Sequence, residues 1–541
     1  MGTRNPESGG GKARRPASRS DRIREWRRGW GAWRRIVGFG LLVLVLGACT
    51  EADKTAMPAV SPTATGVPTR TQEPTATPVP REFIPADCQF DSAGSDDVAC
   101  GYLLVPEDRT EPDGAMVRLH VAILRSSGET PRSDPVVHLS GGPGAPSLDS
   151  VGFLRGVYHK VLEDREVVLF DQRGVGHSEP SLDCPEYAEA GLQILTGVPA
   201  EEELVMIMDS LRTCRDRLLA SGVNLSSYHS AASAADVVDL MGALGYENYN
   251  LFGISYGTRL ALTIMRDHPA GIRSVVLDSA VPLQVSLHEQ NGLNLQRALD
   301  LLFERCAADK SCAEKYPALE ETYYALIEQF NRESLPIAFG GTTYQVSGEL
   351  LVFLTIRAMY DVDAIVLLPK RISELAEGST GWLSQQIGEI FFYWSISEGA
   401  NRSSICSEEL PFNSSEVIER NFAGIHPALV GDMQKELDIM YAVCDLWDVV
   451  PAGVVETQAV SSGIPTLILS GDYDPITPPA FGSMAAESLT NATHFVFPGL
   501  SHGVVRSRRC GAEIMEAFLD APDVRPDSSC IDALKIGFLT H

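Results

Sequence analysis

Neither a Cys-x-x-Cys nor a His-x-x-x-His spacing occurs anywhere in the 541 residues. Those spacings are the usual frameworks of zinc sites, so no metal site is expected, and no cofactor motif stands in its place. Basic residues are scarce as well, with 44 Lys and Arg against 71 Asp and Glu and a formal net charge of −27. An acidic chain repels phosphates, which argues against a nucleic-acid partner. The one basic stretch is the N-terminus, where residues 1–48 hold 11 Lys and Arg against 3 Asp and Glu. The apolar run that follows its basic part, residues 36–46, is about 11 residues long. That is too short for a stable membrane span and suits the apolar region of a signal peptide.

The run ends in Leu46-Gly47-Ala48-Cys49, which resembles the lipobox of bacterial lipoproteins. The resemblance implies cleavage before Cys49, lipidation of its sulfur and export to the outer face of a bacterial cell membrane. The alternative is an ordinary secretory signal with Cys49 incidental. Residues 49–82 are rich in Thr, Pro and Ala and almost lack large apolar side chains, so they read as an extended tether. Of 11 cysteines, ten remain after Cys49, and they fall as near neighbours along the chain. Five local disulfides are expected: Cys88 with Cys100, Cys184 with Cys214, Cys306 with Cys312, Cys406 with Cys444, and Cys510 with Cys530. The count alone leaves the connectivity open.

From residue 83 the pattern is strand, helix, strand. Apolar runs at 116–124, 135–139, 166–170, 249–253 and 272–277 read as strands, with a helix at 231–244. Residues 283–460 read mainly as helices, and strands resume at 465–469 and 494–497 before a closing helix at 511–519. The expected class is therefore α/β, with a mostly parallel sheet in two parts, 83–282 and 461–541, and an inserted helical cap at 283–460. Open sheets of this kind place their sites at the strand C-terminal ends.

One pentapeptide carries the chemistry. Gly253-Ile254-Ser255-Tyr256-Gly257 lies between an apolar strand and a helical pattern, the context of a nucleophile elbow. A serine hydroxyl is a weak nucleophile and needs a base that is itself oriented by an acid. In the order Ser, acid, His, the acid falls in Ser470-Gly471-Asp472-Tyr473-Asp474-Pro475, where Asp474 is the choice and Asp472 reads as a turn or capping acid. Asp278, after the preceding strand, is a second possible position. His502, in Ser501-His502-Gly503 after the last strand, is the base, while His494 begins that strand and is expected to face elsewhere. Gly141-Gly142-Pro143-Gly144 can bring backbone N–H groups close to an oxyanion, which assigns the hole to the N–H groups of Tyr256 and Gly142.

These motifs, together with Asp171-Gln172-Arg173-Gly174-Val175-Gly176-His177-Ser178 and Asp474-Pro475-Ile476-Thr477-Pro478, resemble the prolyl aminopeptidase and tripeptidyl aminopeptidase family of α/β hydrolases. The similarity is greatest to the exported bacterial tripeptidyl aminopeptidase branch, whose members carry a late cysteine-bearing tail like Cys510 to Cys530. The resemblance implies a serine exopeptidase that takes short peptides from free N-termini. Ser140 departs from it, since prolyl aminopeptidases usually carry His before the glycines. A free N-terminus needs an anionic anchor, and Glu408 and Glu409 in the cap are the expected candidates, in a segment with 26 acidic and 11 basic residues. Their alternative reading is solvated acids at a helix end. A carboxylic ester hydrolase with the same triad is the competing activity, since the fold does not name its substrate.

Overall fold

The computed structural model describes residues 82–91, 97–393, 396–534 and 537–540. The expected signal peptide, Cys49 and the tether up to residue 81 lie outside the described residues. The sheet strands are β1 (Phe83–Pro85), β2 (Val98–Pro106), β3 (Met116–Leu124), β4 (Val136–Leu139), β5 (Val167–Phe170), β6 (Tyr249–Ile254) and β7 (Ile272–Asp278). A separate hairpin, β8 (Leu335–Phe339) and β9 (Thr342–Val346), follows, and β10 (Thr466–Gly471) and β11 (Ala492–Phe497) complete the sheet.

The nine strands run in the order β1-β2-β3-β5-β4-β6-β7-β10-β11. Pairing is antiparallel from β1 through β3 to β5 and parallel from β5 to β11. The parallel strands β4 and β5 are buried along their whole length because helices cover both faces, which explains the unbroken apolar run of β5 and the single interruption of β4 at His138, whose Nδ1 lies 2.8 Å from the Tyr158 hydroxyl. Successive residues feed opposite faces of the sheet. Val137, Leu251, Val275 and Ile468 enter one core, whereas Val136, Phe252, Val276 and Leu467 enter the other. The first core is closed by helices α1 (Ser230–Leu244) and α2 (Tyr256–Asp267).

Between β7 and β10 the chain forms the cap. Its main helices are α3 (Leu287–Ala308), α4 (Gly348–Met359), α5 (Gly381–Tyr393), α6 (Glu398–Glu408) and α7 (Pro427–Trp447). The cap has an apolar core of its own, including Leu299, Leu302, Tyr323, Ile327, Leu354 and Leu383. It is not purely helical: β8 and β9 turn through Gly340 and Gly341, both at positive φ, the geometry a two-residue hairpin loop demands. Nor does the cap stop cleanly at the sheet. Ala400 and Cys406 of α6 and Val443 and Trp447 of α7 pack into the first sheet core.

Two further helices, Pro185–Ile194 and Ala200–Ala220, leave the body after β5 and lean on the cap. Gln345 N–H donates to Leu195 O at 2.8 Å, and Lys435 pairs with Glu203 at 2.8 Å. Disulfides join Cys88–Cys100, Cys184–Cys214, Cys306–Cys312, Cys406–Cys444 and Cys510–Cys530, each cysteine with its near neighbour.

Candidate active site

Strand β6 ends at Ile254 and helix α2 begins at Tyr256, so the whole turn falls on Ser255, at φ 57° and ψ −128°. A non-glycine residue in that region is strained and persists only where its surroundings hold it. They do. A Cβ at Gly253 would sit 2.4 Å from Gly257 O, and one at Gly257 would sit 2.0 Å from Leu139 O, so both flanking positions exclude a side chain. The Ser255 N–H donates to Asp278 O at 3.0 Å. Ser255 thus caps the positive end of α2, with the Tyr256 N–H in the first turn, where amides lack intrahelical partners.

The Gly141-Gly144 loop comes to the same place. A Cβ at Gly141 would lie 2.9 Å from Ser255 Cβ, and Gly142 holds φ 111°. Asp171 fastens this loop. Its Oδ1 accepts the N–H groups of Ser147 at 2.7 Å and Leu148 at 3.0 Å, while Oδ2 accepts that of His177 at 2.9 Å. Burial raises its carboxyl to about 6 against these bonds. Gln172 Nε2 donates to Ser140 O at 3.1 Å, and Arg173 forms a buried pair with Asp236 at 2.7 Å. The Asp171 to Ser178 motif therefore serves as scaffolding.

The structure places Asp474 and His502 in contact. Asp474 Oδ2 lies 2.8 Å from His502 Nδ1, and both residues are buried. Burial would raise the Asp474 carboxyl, but His502, the Thr477 hydroxyl at 2.6 Å and the Thr477 amide outweigh it and hold it below its ordinary value. Its Oδ1 also accepts the N–H groups of Ile476 and Thr477, each at 2.9 Å. Asp278 has a different task. Its carboxylate accepts Val504 N–H at 2.8 Å and Val505 N–H at 2.9 Å, directly after His502, while its carbonyl holds Ser255. One residue thereby fixes the histidine loop against the elbow. Asp472 accepts Gly499 N–H at 2.7 Å and pairs with Arg305, and His494 Nε2 lies 3.0 Å from Ser470 Oγ, away from Asp474.

Several residues at the site carried no sequence signal. Tyr360 lies with its ring 4.6 Å from that of His502, and Arg297 of α3 reaches from the cap to the carbonyls of Asp472 and Asp474. Ser501 donates its hydroxyl to Met359 O at the end of α4. Ser397 N–H donates to Gly144 O at 2.9 Å and Asn401 Nδ2 to Pro143 O at 3.0 Å, so α6 begins on the glycine loop. All are contacts between segments far apart in sequence, which no local pattern records.

A cleft of about 720 Å³ lies between cap residues 353–398 and residues 183–188, and Ser255, Asp474 and His502 are not among its walls. Ile396, which meets Gly144, lines one part of it, and Arg357 to Asp361, the stretch flanking Tyr360, supplies another. Asp183, Asp361, Glu389 and Glu398 line it against the single guanidinium of Arg357. Glu408 and Glu409 are not among its walls, and their burial overturns the reading of them as solvated acids. Both are buried: Glu408 pairs with Arg259 at 3.3 Å, and Glu409 accepts from Leu287 N–H at 3.1 Å and lies 3.2 Å from His288 Nδ1.

Residues 134–347 match the family described as alpha/beta hydrolase fold, and residues 430–530 match the one described as TAP-like protein. Serine protease Hip1 of Mycobacterium tuberculosis is 25% identical over 451 residues, covering 78% of this chain and 84% of that protein. Tripeptidyl aminopeptidase of Streptomyces lividans is 30% identical over 204 residues, 36% of this chain and 37% of that protein. Carboxylesterase B of Mycobacterium tuberculosis is 25% identical over 533 residues, 90% of this chain and 97% of that protein.

Proposed function

Because residues 134–347 match the alpha/beta hydrolase fold family and residues 430–530 the TAP-like one, we propose that the chain is a serine exopeptidase releasing short peptides, tripeptides foremost, from free N-termini. The observation that carries the reading is the buried His502–Asp474 pair on the loops that flank the Ser255 elbow, with an acid-lined cleft reaching toward it at Ile396, next to Gly144, and around Tyr360, whose ring meets that of His502. Glu398 is paired with Arg402 at 3.0 Å, which leaves Asp183, Asp361 and Glu389 facing the one guanidinium of Arg357, a balance that favours a substrate bringing a positive charge, as an unblocked N-terminus does. The peptidase names of two relatives point the same way.

In this mechanism Ser255 Oγ attacks the scissile carbonyl while His502 Nε2 takes its proton. Asp474 holds the Nδ1 proton and stabilises the imidazolium. The developing oxyanion meets the N–H groups of Tyr256 and Gly142, aided by the positive end of α2. His502 then protonates the leaving amine, and water repeats the sequence on the acyl-enzyme. Five disulfides suit an oxidising compartment, and with the lipobox-like segment they support export and anchoring through lipid on Cys49.

The test is mass analysis of products from unblocked and N-acetylated peptide libraries, with Ser255→Ala beside the wild type. Tripeptides released from free N-termini alone, and a silent variant, are the expected outcome. Equal cleavage of blocked peptides overturns the exopeptidase reading. Carboxylesterase B matches most of the chain, so hydrolysis of aryl esters without peptide cleavage would assign the same triad to ester chemistry instead.

A further inference from the structure

Glu408 sits on α6, 2% exposed, with no face toward the cleft. One of its oxygens accepts the Ser230 N–H. The other accepts the Ser230 hydroxyl at 2.7 Å, the Ser404 hydroxyl at 3.4 Å and Arg259 Nε at 3.3 Å. A carboxylate paired with a guanidinium only accepts hydrogen bonds, so the Ser230 hydroxyl must spend its proton on Glu408. Its lone pairs are then left for the Tyr256 phenol, 2.9 Å away, which donates. The Ser404 hydroxyl lies 3.3 Å from the phenol on a second side and shares its one proton between the phenol and Glu408. Proton direction is thus set along the whole chain, from Tyr256 to Ser230 to Glu408.

We infer that Glu408 is a positioning residue for the oxyanion hole, acting on the Tyr256 N–H by locking the Tyr256 side chain through Ser230. The inference rests on the reading that the Tyr256 N–H is an oxyanion donor. Tyr256 has its ring clamped between α1 and α6, so its backbone cannot rotate without breaking the phenol bonds. The same helix α6 holds the other wall of the hole at its N-terminal end, where Ser397 and Asn401 bond Gly144 and Pro143. Glu408 is the fixed point at the far end of that helix, two residues from the Cys406–Cys444 disulfide. A single cap helix therefore sets both sides of the hole.

The test uses Tyr256→Phe, Glu408→Gln and their combination, with kcat and KM measured on a free-N-terminal peptide anilide and on an aryl ester. Inhibition by a peptide aldehyde, whose hemiacetal oxyanion occupies the hole, is measured alongside. Each single change is expected to lower kcat roughly tenfold on both substrates, with KM within about twofold and aldehyde affinity weakened in step with kcat/KM. The double variant should be no worse than the weaker single one, because both changes break one link. Wild-type kcat and aldehyde affinity in Tyr256→Phe would overturn the inference. So would a Glu408→Gln that raises KM for the free peptide alone and leaves the ester untouched, since that assigns Glu408 to the substrate ammonium. Should Glu408→Gln fail to fold with Arg259 left unpaired, Tyr256→Phe decides, as it removes one hydroxyl and keeps the charges. If the wild type cuts only the ester, the exopeptidase reading falls, and the ester measurements still judge the role of Glu408.

Discussion

Two aspartates of the candidate site are shifted in opposite directions, and the difference is measurable. Asp278 is fully buried, and burial raises it to about 6 in spite of its two amide donors. Its folded value lies above the ordinary carboxylate value, so its contribution to stability is complete at low pH and is lost as pH rises through about 6. The amplitude is on the order of 3 kcal/mol. Asp474 is lowered, so its contribution is present above the ordinary carboxylate range and is lost as pH falls through its folded value. Denaturant midpoints against pH should separate them. The deficit of Asp278→Asn relative to wild type shrinks between about pH 4 and 7, whereas that of Asp474→Asn grows as pH rises from the acid side. Parallel curves for the two variants would contradict these assignments. At this scale the Ser255 turn and the Asp474–His502 contact could be anticipated because each residue sits in a short motif at a strand end. The burial of Glu408 was not legible because its partners Ser230 and Arg259 lie 178 and 149 residues away.

Among the elements, α3 has the most direct hold on the chemistry. Arg297 bonds the carbonyls of Asp472 and Asp474, Arg305 pairs with Asp472 and lies 4.7 Å over the Tyr473 ring, and Tyr473 is buried in the cap core. The acid loop is therefore positioned by the cap as much as by β10. Arg297→Ala should lower kcat by about ten- to a hundredfold, with little change in melting temperature beyond that of an ordinary surface truncation. An unchanged kcat would show that β10 alone places Asp474. The parallel strands could be read from their largely apolar runs, since two covered faces leave no alternation to decipher. The hairpin was hidden inside a helical block, although Gly340-Gly341 between two five-residue strands was a usable signal. The helices at Pro185–Ile194 and Ala200–Ala220 were passed over because nothing in the catalytic order pointed to them.

At the scale of the whole molecule the covalent framework was open to reading, since each disulfide closes a short local loop, the longest spanning 38 residues. What could not be read was how thoroughly the cap is joined to the body, because Trp447 and Cys406 give no hint in sequence of which core they enter. The anchoring proposed for Cys49 belongs at this scale too. Cys49→Ser should move activity from the membrane fraction to the medium while kcat stays the same, and retention in the membrane fraction would refute lipid attachment there.

The cap is fastened to three loops of the site: Ser397 to Gly144, Arg297 to Asp474, and Met359 to Ser501. It cannot swing aside like a hatch without dragging the oxyanion loop, the acid and the histidine out of register. If the exopeptidase reading holds, a chain end has to thread into a mouth whose shape is already set, and compact proteins would become substrates only after another agent had unravelled them.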